Sequence, residues 1–175
     1  MDIKLILPTP EYEQQVMALR AELFADGENF AGCSGLNTAQ TYAEWLDHDA
    51  LLHKMYGDNY VPSDVFLAVR TSDDRVVGVI DYRYVLSDFL FKYGGSTGYT
   101  VRRDERRKGY AAEMLRLVCE KARSRGDRFL IVTCDKENEA SRRTILKCGG
   151  VFENEVEDVY HIEVSGTLQR YRIDL

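Results

Sequence analysis

The sequence predicts an α/β protein with a mixed, mainly antiparallel sheet flanked by helices, and three observations carry that prediction. Apolar residues recur at helical spacing early in the chain, the period turns extended from Asp64 onward, and the two periods then alternate towards the C-terminus. A chain of 175 residues is long enough to bury one full core, so residues 1–175 are read as a single domain. Hydrophobic content of 45% with 30% charged residues is ordinary for a globular protein. No apolar run approaches the ~20 residues a membrane helix needs, and Met1-Asp2 lacks the basic and apolar regions of a signal peptide, so a cytoplasmic protein with no membrane partner is expected.

Taken in order, Ile3 to Leu7 reads as a short strand that Pro8-Thr9-Pro10 ends. Thr9 is the expected N-cap of a first helix with Pro10 at its first position and Tyr12, Val16, Leu19 and Leu23 at helical spacing. After a Gly- and Asn-rich loop at residues 27–37, a second helix is expected to start after Thr38 and end near Gly57, with Tyr42, Trp45, Leu46, Leu52 and Met55 on its apolar face. Val65 to Val69 and Val76 to Tyr84 are rich in β-branched and aromatic residues and read as a hairpin about residues 71–75. Gly94-Gly95 breaks the chain before a fourth strand, Ser96 to Val101. A long helix follows, then a strand at Arg128 to Thr133, a short helix at Glu139 to Lys147, and strands near Val151 to Glu157 and Leu168 to Ile173. Antiparallel first strands with a helix crossing from the fourth to the fifth complete the expected architecture.

The stretch Tyr99 to Arg125 organises the rest. An apolar strand runs into Arg106-Arg107-Lys108-Gly109-Tyr110-Ala111, and a helix with Met114, Leu115, Val118, Cys119 and Ala122 on one side follows. Small residues at such a turn let main-chain N–H groups point outward, and the first helical turn adds unpaired donors and about half a positive elementary charge. That combination is an anion site suited to phosphate. The structural alternative is a basic turn that simply starts a helix.

The run Val101 to Ala111, with its Arg-x-x-Gly-x-Ala spacing, resembles the acyl-CoA signature of the GNAT superfamily of acetyltransferases, and Asn138-x-x-Ser141 and Lys147-Cys148-Gly149-Gly150 follow at the family's spacing. Phrases around residues 60–63, 93–95, 134–136 and 154–156 resemble a group of bacterial-type acetyltransferases; the likeness covers residues 60–175 well and the first third loosely. It implies the acyl-CoA N-acyltransferase fold, with acetyl-CoA as co-substrate held by Tyr99, Thr100, Val101, Arg103, Arg106, Arg107, Lys108, Gly109, Tyr110, Ala111, Asn138 and Ser141. Turn amides would hold the pyrophosphate, main-chain N–H groups near Thr100 and Val101 the thioester carbonyl and pantetheine, and the Asn138 amide the pantetheine arm, although Asn138 is equally a good helix N-cap. Arg107 fills a place where many members have Gly, so its side chain crowds the site or reaches the 3′-phosphate of CoA.

Catalytic groups are not assigned by the resemblance. Many members carry a Tyr acid seven residues after the Asn, which here is Ile145, and a Glu base on the fourth strand, where Ser96 to Val101 has no carboxylate. Asp81 with Tyr82, Tyr99, and Glu153 or Glu155 are the remaining candidates for deprotonating the amine, directly or through water, each at least as readily a surface charge or packed aromatic.

Net charge of −6 is unevenly spread: residues 101–147 carry 14 basic and 8 acidic side chains, while residues 1–100 carry 7 and 15, and 148–175 carry 2 and 6. A polyanion such as RNA is one reading of the basic segment, but its interleaved Glu113 and Glu120 fit a solvated helix face, which argues against a nucleic-acid partner. Cys33, Cys119, Cys134 and Cys148 lack Cys-x-x-Cys spacing and read as reduced packing residues, and His48 and His53 lack metal-ligand spacing, so no metal is expected. The expected function is acetyl transfer to a small-molecule or peptide amine, cationic if the acidic, aromatic N-terminal half (Glu22, Asp26, Glu28, Glu44, Asp47, Asp49 with Phe24, Phe30, Tyr42, Trp45) forms the acceptor cleft. A CoA-binding module without catalysis is the rival reading, and a homodimer is compatible with either.

Overall fold

A computed structural model describes residues 2–52, 61–162 and 164–175. The elements are β1 (Ile3–Ile6), α1 (Glu13–Ala25), α2 (Tyr42–Leu52), β2 (Ser63–Arg70), β3 (Arg75–Arg83), β4 (Tyr99–Val101), α3 (Tyr110–Arg125), β5 (Phe129–Asp135), α4 (Glu139–Lys147), β6 (Val151–Glu157) and β7 (Thr167–Asp174). They form two antiparallel sheets, β1-β2-β3-β4 and β5-β7-β6, with α3 crossing between them. His53, Met55, Gly57 and Tyr60 lie outside the described residues.

Alternation along β2 and β3 builds two cores. Val65, Leu67, Val69, Val76 and Val79 face α1 and α2, where Val16, Leu19, Leu23, Tyr42 and Trp45 cover them. Phe66, Ala68, Val77, Ile80 and Tyr82 face the other way and meet Met114, Leu115, Val118 and Ala122 of α3, a cluster that continues through Leu130, Val132, Ile145, Tyr171 and Ile173. Because both faces of these strands are buried, they read as near-continuous apolar runs. The four cysteines are free; Cys33, Cys119 and Cys134 are buried and Cys148 is partly so. Among the described residues no helix is long and apolar enough to cross a membrane.

Three local expectations are corrected, and one element is new. Thr9 does not cap a helix with its hydroxyl: Pro10–Tyr12 is a 3₁₀ turn, closed by the Tyr12 N–H donating to Thr9 O at 3.1 Å, and α1 begins only at Glu13. The second helix starts at Tyr42 rather than after Thr38, because Thr41 Oγ1 accepts the Glu44 N–H at 3.2 Å while Glu44 reaches back to the Gln40 N–H at 2.7 Å, a local variant of the capping box. The fourth strand is only Tyr99–Val101, although Ser96 and Gly98 still accept the N–H groups of Arg83 and Asp81. Between β3 and β4 the chain forms an unforeseen π-helical turn, Leu90–Gly94, which buries Leu90 and Tyr93 and seats the Tyr93 carbonyl on the Thr133 hydroxyl at 2.8 Å.

Candidate active site

The two sheets touch at one place and part beyond it. Ser96 N–H donates to Ile131 O at 2.6 Å, and Ile131 N–H donates to Ser96 Oγ at 3.0 Å. From there β4 and β5 belong to separate sheets, leaving a split whose far end lies where α3 and α4 begin. Arg102 N–H donates to Val77 O at 2.9 Å and Asp81 N–H to Gly98 O at 3.1 Å. Bonded pairs alternate in an antiparallel ladder. The main chain of Gly98, Thr100 and Arg102 therefore faces β3, while that of Tyr99 and Val101 faces the split. Of the two amides expected to meet a thioester, Val101 is on the open side; Thr100 is committed to β3, and its hydroxyl donates to Ala31 O at 2.7 Å.

At the start of α3, Gly109 sits at φ +89° and no side chain caps the helix. The first helical bond runs from Glu113 N–H to Gly109 O, so helix geometry leaves the preceding amides without intrahelical partners. Arg107, at φ +61°, is exposed and makes no ion pair among the described residues. Its neighbours are committed: Arg103 to Asp26 at 2.5 Å, Arg106 to Glu28 at 2.8 Å and Lys108 to Glu105 at 2.9 Å. Glu105 is a buried hub that also pairs with Arg70 and Arg75, both at 3.0 Å. Burial alone would raise its pKa, but the bonds from Lys108 and Arg70 outweigh that and hold it below the ordinary carboxylate range. Tyr110 is buried and its hydroxyl accepts from Arg70 at 3.1 Å, so it fixes the turn from beneath.

Across the split, Asn138 caps α4 by accepting the Ser141 N–H on Oδ1 at 3.0 Å. Capping uses only the amide oxygen and leaves its NH₂ pointing to other partners. Ser141 Oγ lies 2.8 Å from the Tyr99 hydroxyl. Burial pushes the Tyr99 phenol above its ordinary value, with the Ser141 bond pulling the other way. Tyr99 therefore keeps its proton near neutrality, so it is not the base the sequence suggested, and it can offer a proton only as a weaker acid than a free phenol. Cys148 Sγ donates to Ala112 O at 3.3 Å and ties α4 to α3.

On the α1/α2 face, a cavity of about 500 Å³ is walled by the α1–α2 loop and by the ends of β2 and β3. It contains Glu28, Phe30, Ser63, Asp81 and Arg83. Asp81 is buried; Oδ1 accepts the Gly98 N–H at 2.6 Å and Oδ2 accepts from Arg83 at 2.7 Å. Arg83 also donates to the carbonyls of Gly94 and Gly95 at 2.7 and 2.9 Å. An uncapped helix start thus follows β4, and a separate cavity lies on the α1/α2 face.

A family description, "Acetyltransferase (GNAT) domain", matches residues 4–151. The chain belongs to the GNAT acetyltransferase family. Enzymes of this family use acetyl-CoA as co-substrate. Solved GNAT structures share the fold: RimL, a ribosomal L7/L12 α-N-protein acetyltransferase in complex with coenzyme A, superposes with TM-score 0.72 at 15% identity over 100% of this chain and 95% of that one. MccE, a microcin C7 self-immunity acetyltransferase in complex with acetyl-CoA and AMP, gives 0.71 at 15% identity over 99% and 93%. A spermidine N-acetyltransferase chimera from Vibrio cholerae SpeG and hSSAT gives 0.64 at 13% over 99% and 96%. Among curated proteins, none matches the sequence.

Within this GNAT fold, Tyr99, Val101, the Arg106–Ala111 turn, Asn138 and Ser141 gather around the mouth of the split. Glu153 does not join them: it lies on β6, with β7 between it and β5, and pairs with Arg170 at 3.4 Å. Glu155 pairs with Lys136 at 2.9 Å, which holds its carboxyl below the ordinary range. Ile145 is fully buried in the α3-side core. Arg83 is a charged lining residue the sequence reading missed; its signal was Asp81-x-Arg83, two opposite charges on one face of a strand. Among the described residues, no three His, Cys, Asp or Glu side chains gather as a metal-binding set.

Proposed function

We propose that this GNAT protein transfers the acetyl group of acetyl-CoA to a primary amine by direct attack on the thioester. The observation that carries the reading is an uncapped helix start with a left-handed glycine and an exposed Arg107 that makes no ion pair among the described residues, together with a cavity on the α1/α2 face. Amides of the Arg106–Ala111 turn, aided by Arg107, hold the pyrophosphate, and the Asn138 NH₂ donates to a pantetheine carbonyl. Tyr99 and Val101 offer main-chain groups to the arm and to the reacting carbonyl, where an N–H stabilises the developing oxyanion.

The amine enters from the cavity. Its nitrogen bonds to the carbonyl carbon as the C–S bond breaks, its proton leaves to water, and the departing thiolate takes the Tyr99 phenolic proton, which water later restores through Ser141. Orientation alone contributes ~7–11 kcal/mol in such reactions, so no dedicated base is required. A thiol-release assay with acetyl-CoA over monoamines, polyamines, aminoglycosides and peptide N-termini tests the reading. Acetyl-CoA binding without thiol release with any amine would favour the non-catalytic alternative.

A further inference from the structure

Glu28 takes part in both halves of the site. It lines the cavity on the α1/α2 face, and its Oε1 accepts from Arg106 Nη1 at 2.8 Å in the turn before α3. Asp26 accepts from Arg103 Nη1 at 2.5 Å, and Glu22 lies 3.5 Å from Arg102. Carboxylates at the end of α1 and in the following loop thus occupy Arg103 and Arg106, two cations expected to serve CoA, as well as the buried Arg102. Arg106 has a second anchor, Nε to Val101 O at 3.1 Å, which keeps its guanidinium at the edge of β4 if Nη1 changes partner.

The Arg106 and Glu28 side chains are 38% and 37% exposed, so water already competes for this pair and it is weak. A diphosphate on Arg106 gains charge-assisted bonds with a helix start behind it. In the protein as it stands, Glu28 is neutralised by Arg106, and the cavity's other carboxylate, Asp81, by Arg83 and the Gly98 N–H. Among the described lining residues no carboxylate lacks a partner until Arg106 is taken away.

We propose that Glu28 is a specificity residue that exchanges partners: a diphosphate arriving at the turn takes Arg106, and the released carboxylate binds the ammonium of a cationic acceptor in the cavity. The inference rests on the acetyl-CoA reading above. Coupling of this kind is reciprocal, so the acceptor tightens CoA by the factor with which CoA tightens the acceptor.

Calorimetry with CoA, 1,4-diaminobutane and the uncharged 1,4-butanediol on the intact protein tests it without turnover. In the parent, saturating CoA should lower the Kd of the diamine at least fivefold and leave that of the diol within twofold. Glu28→Gln should abolish this coupling and bind CoA about twofold to fivefold more tightly, since Arg106 no longer leaves a carboxylate. Arg106→Gln should weaken CoA, yet bind the diamine tightly without it. Coupling unchanged in Glu28→Gln, or a diamine that fails to bind CoA-saturated parent, would overturn the exchange while leaving acetyl-CoA binding intact. If the parent does not bind CoA at all, the acetyl-CoA reading falls. Diamine affinity of Arg106→Gln, with and without Glu28→Gln, then decides whether Glu28 recognises the ammonium.

Discussion

The hydroxyl oxygens of Tyr99 and Ser141 lie 2.8 Å apart, joining the edge of β4 to the first turn of α4 across the split. This contact puts a half-buried, protonated phenol beside the main-chain groups proposed to meet the thioester. Burial raises its pKa, and the serine bond only partly offsets that. Tyr99→Phe should lower kcat about tenfold to a hundredfold with KM for acetyl-CoA within twofold. Because the phenol titrates above its ordinary ~10, the parent's kcat should show no descending alkaline limb below about pH 10. Full activity in Tyr99→Phe would leave the thiolate to be protonated by water alone.

Gly109 and Gly126 bound α3 with the same left-handed backbone, φ +89° and +96°, but only Gly109 faces the proposed pyrophosphate. A β-carbon in that conformation costs about 1–2 kcal/mol at either position. Nothing lies within 4 Å of a β-carbon placed at Gly126, so strain is the whole effect there. Gly109→Ala and Gly126→Ala should therefore lose similar stability by thermal melting, while CoA affinity falls only in Gly109→Ala. Equal CoA affinities in the two variants would move the pyrophosphate elsewhere.

Glu105 holds the turn through Arg70, Arg75 and Lys108, with only 2% of its own side chain exposed. Glu105→Gln should cost about 3 kcal/mol at neutral pH, the lower end for a broken buried pair because the cations can rehydrate. Its folded pKa is depressed, so its contribution is complete above the unfolded carboxyl value of ~4.3 and is lost as pH falls through the lower folded value. Melting curves of parent and variant should differ by about 6–12 °C at pH 7, and the gap should narrow steadily as pH falls below ~4.3. A constant gap across that range would show that the charge is not what stabilises.

Much of this was readable before any coordinates because it is local. The switch from helical to extended period placed the strands and helices, and small residues ahead of an amphipathic helix marked the turn at residues 106–111. Ile145 was read as an aliphatic residue in place of an acid, and its complete burial agrees with a packing role. What escaped is made by distant partners. Arg106 and Glu28 are separated by 78 positions, so the +6 of residues 101–147 looked free although Arg103, Arg106 and Lys108 are paired. The π-helical turn was hidden by its neighbouring glycines, since Gly94-Gly95 signals a break while the spacing of Phe89, Leu90 and Tyr93 needs the C-terminal sheet to bury it.

Asp81 is the carboxylate nearest to the role of a base, and its bonding argues that it is structural. Both oxygens are occupied, one by the Gly98 N–H at 2.6 Å and the other by Arg83 at 2.7 Å. A base must be able to accept a proton from the amine, and here protonation would break the pair that fixes the Gly94-Gly95 turn. Asp81→Asn can keep one of these bonds but turns an NH₂ or a weaker acceptor towards Arg83, leaving a largely buried guanidinium without its charge partner. The expected loss is about 2–4 kcal/mol, with kcat at 20 °C within tenfold of the parent and an unchanged pH–rate profile. Melting and steady-state rates on the same preparations separate the alternatives: a kcat loss of a thousandfold or more with an unmoved melting midpoint would make Asp81 the base.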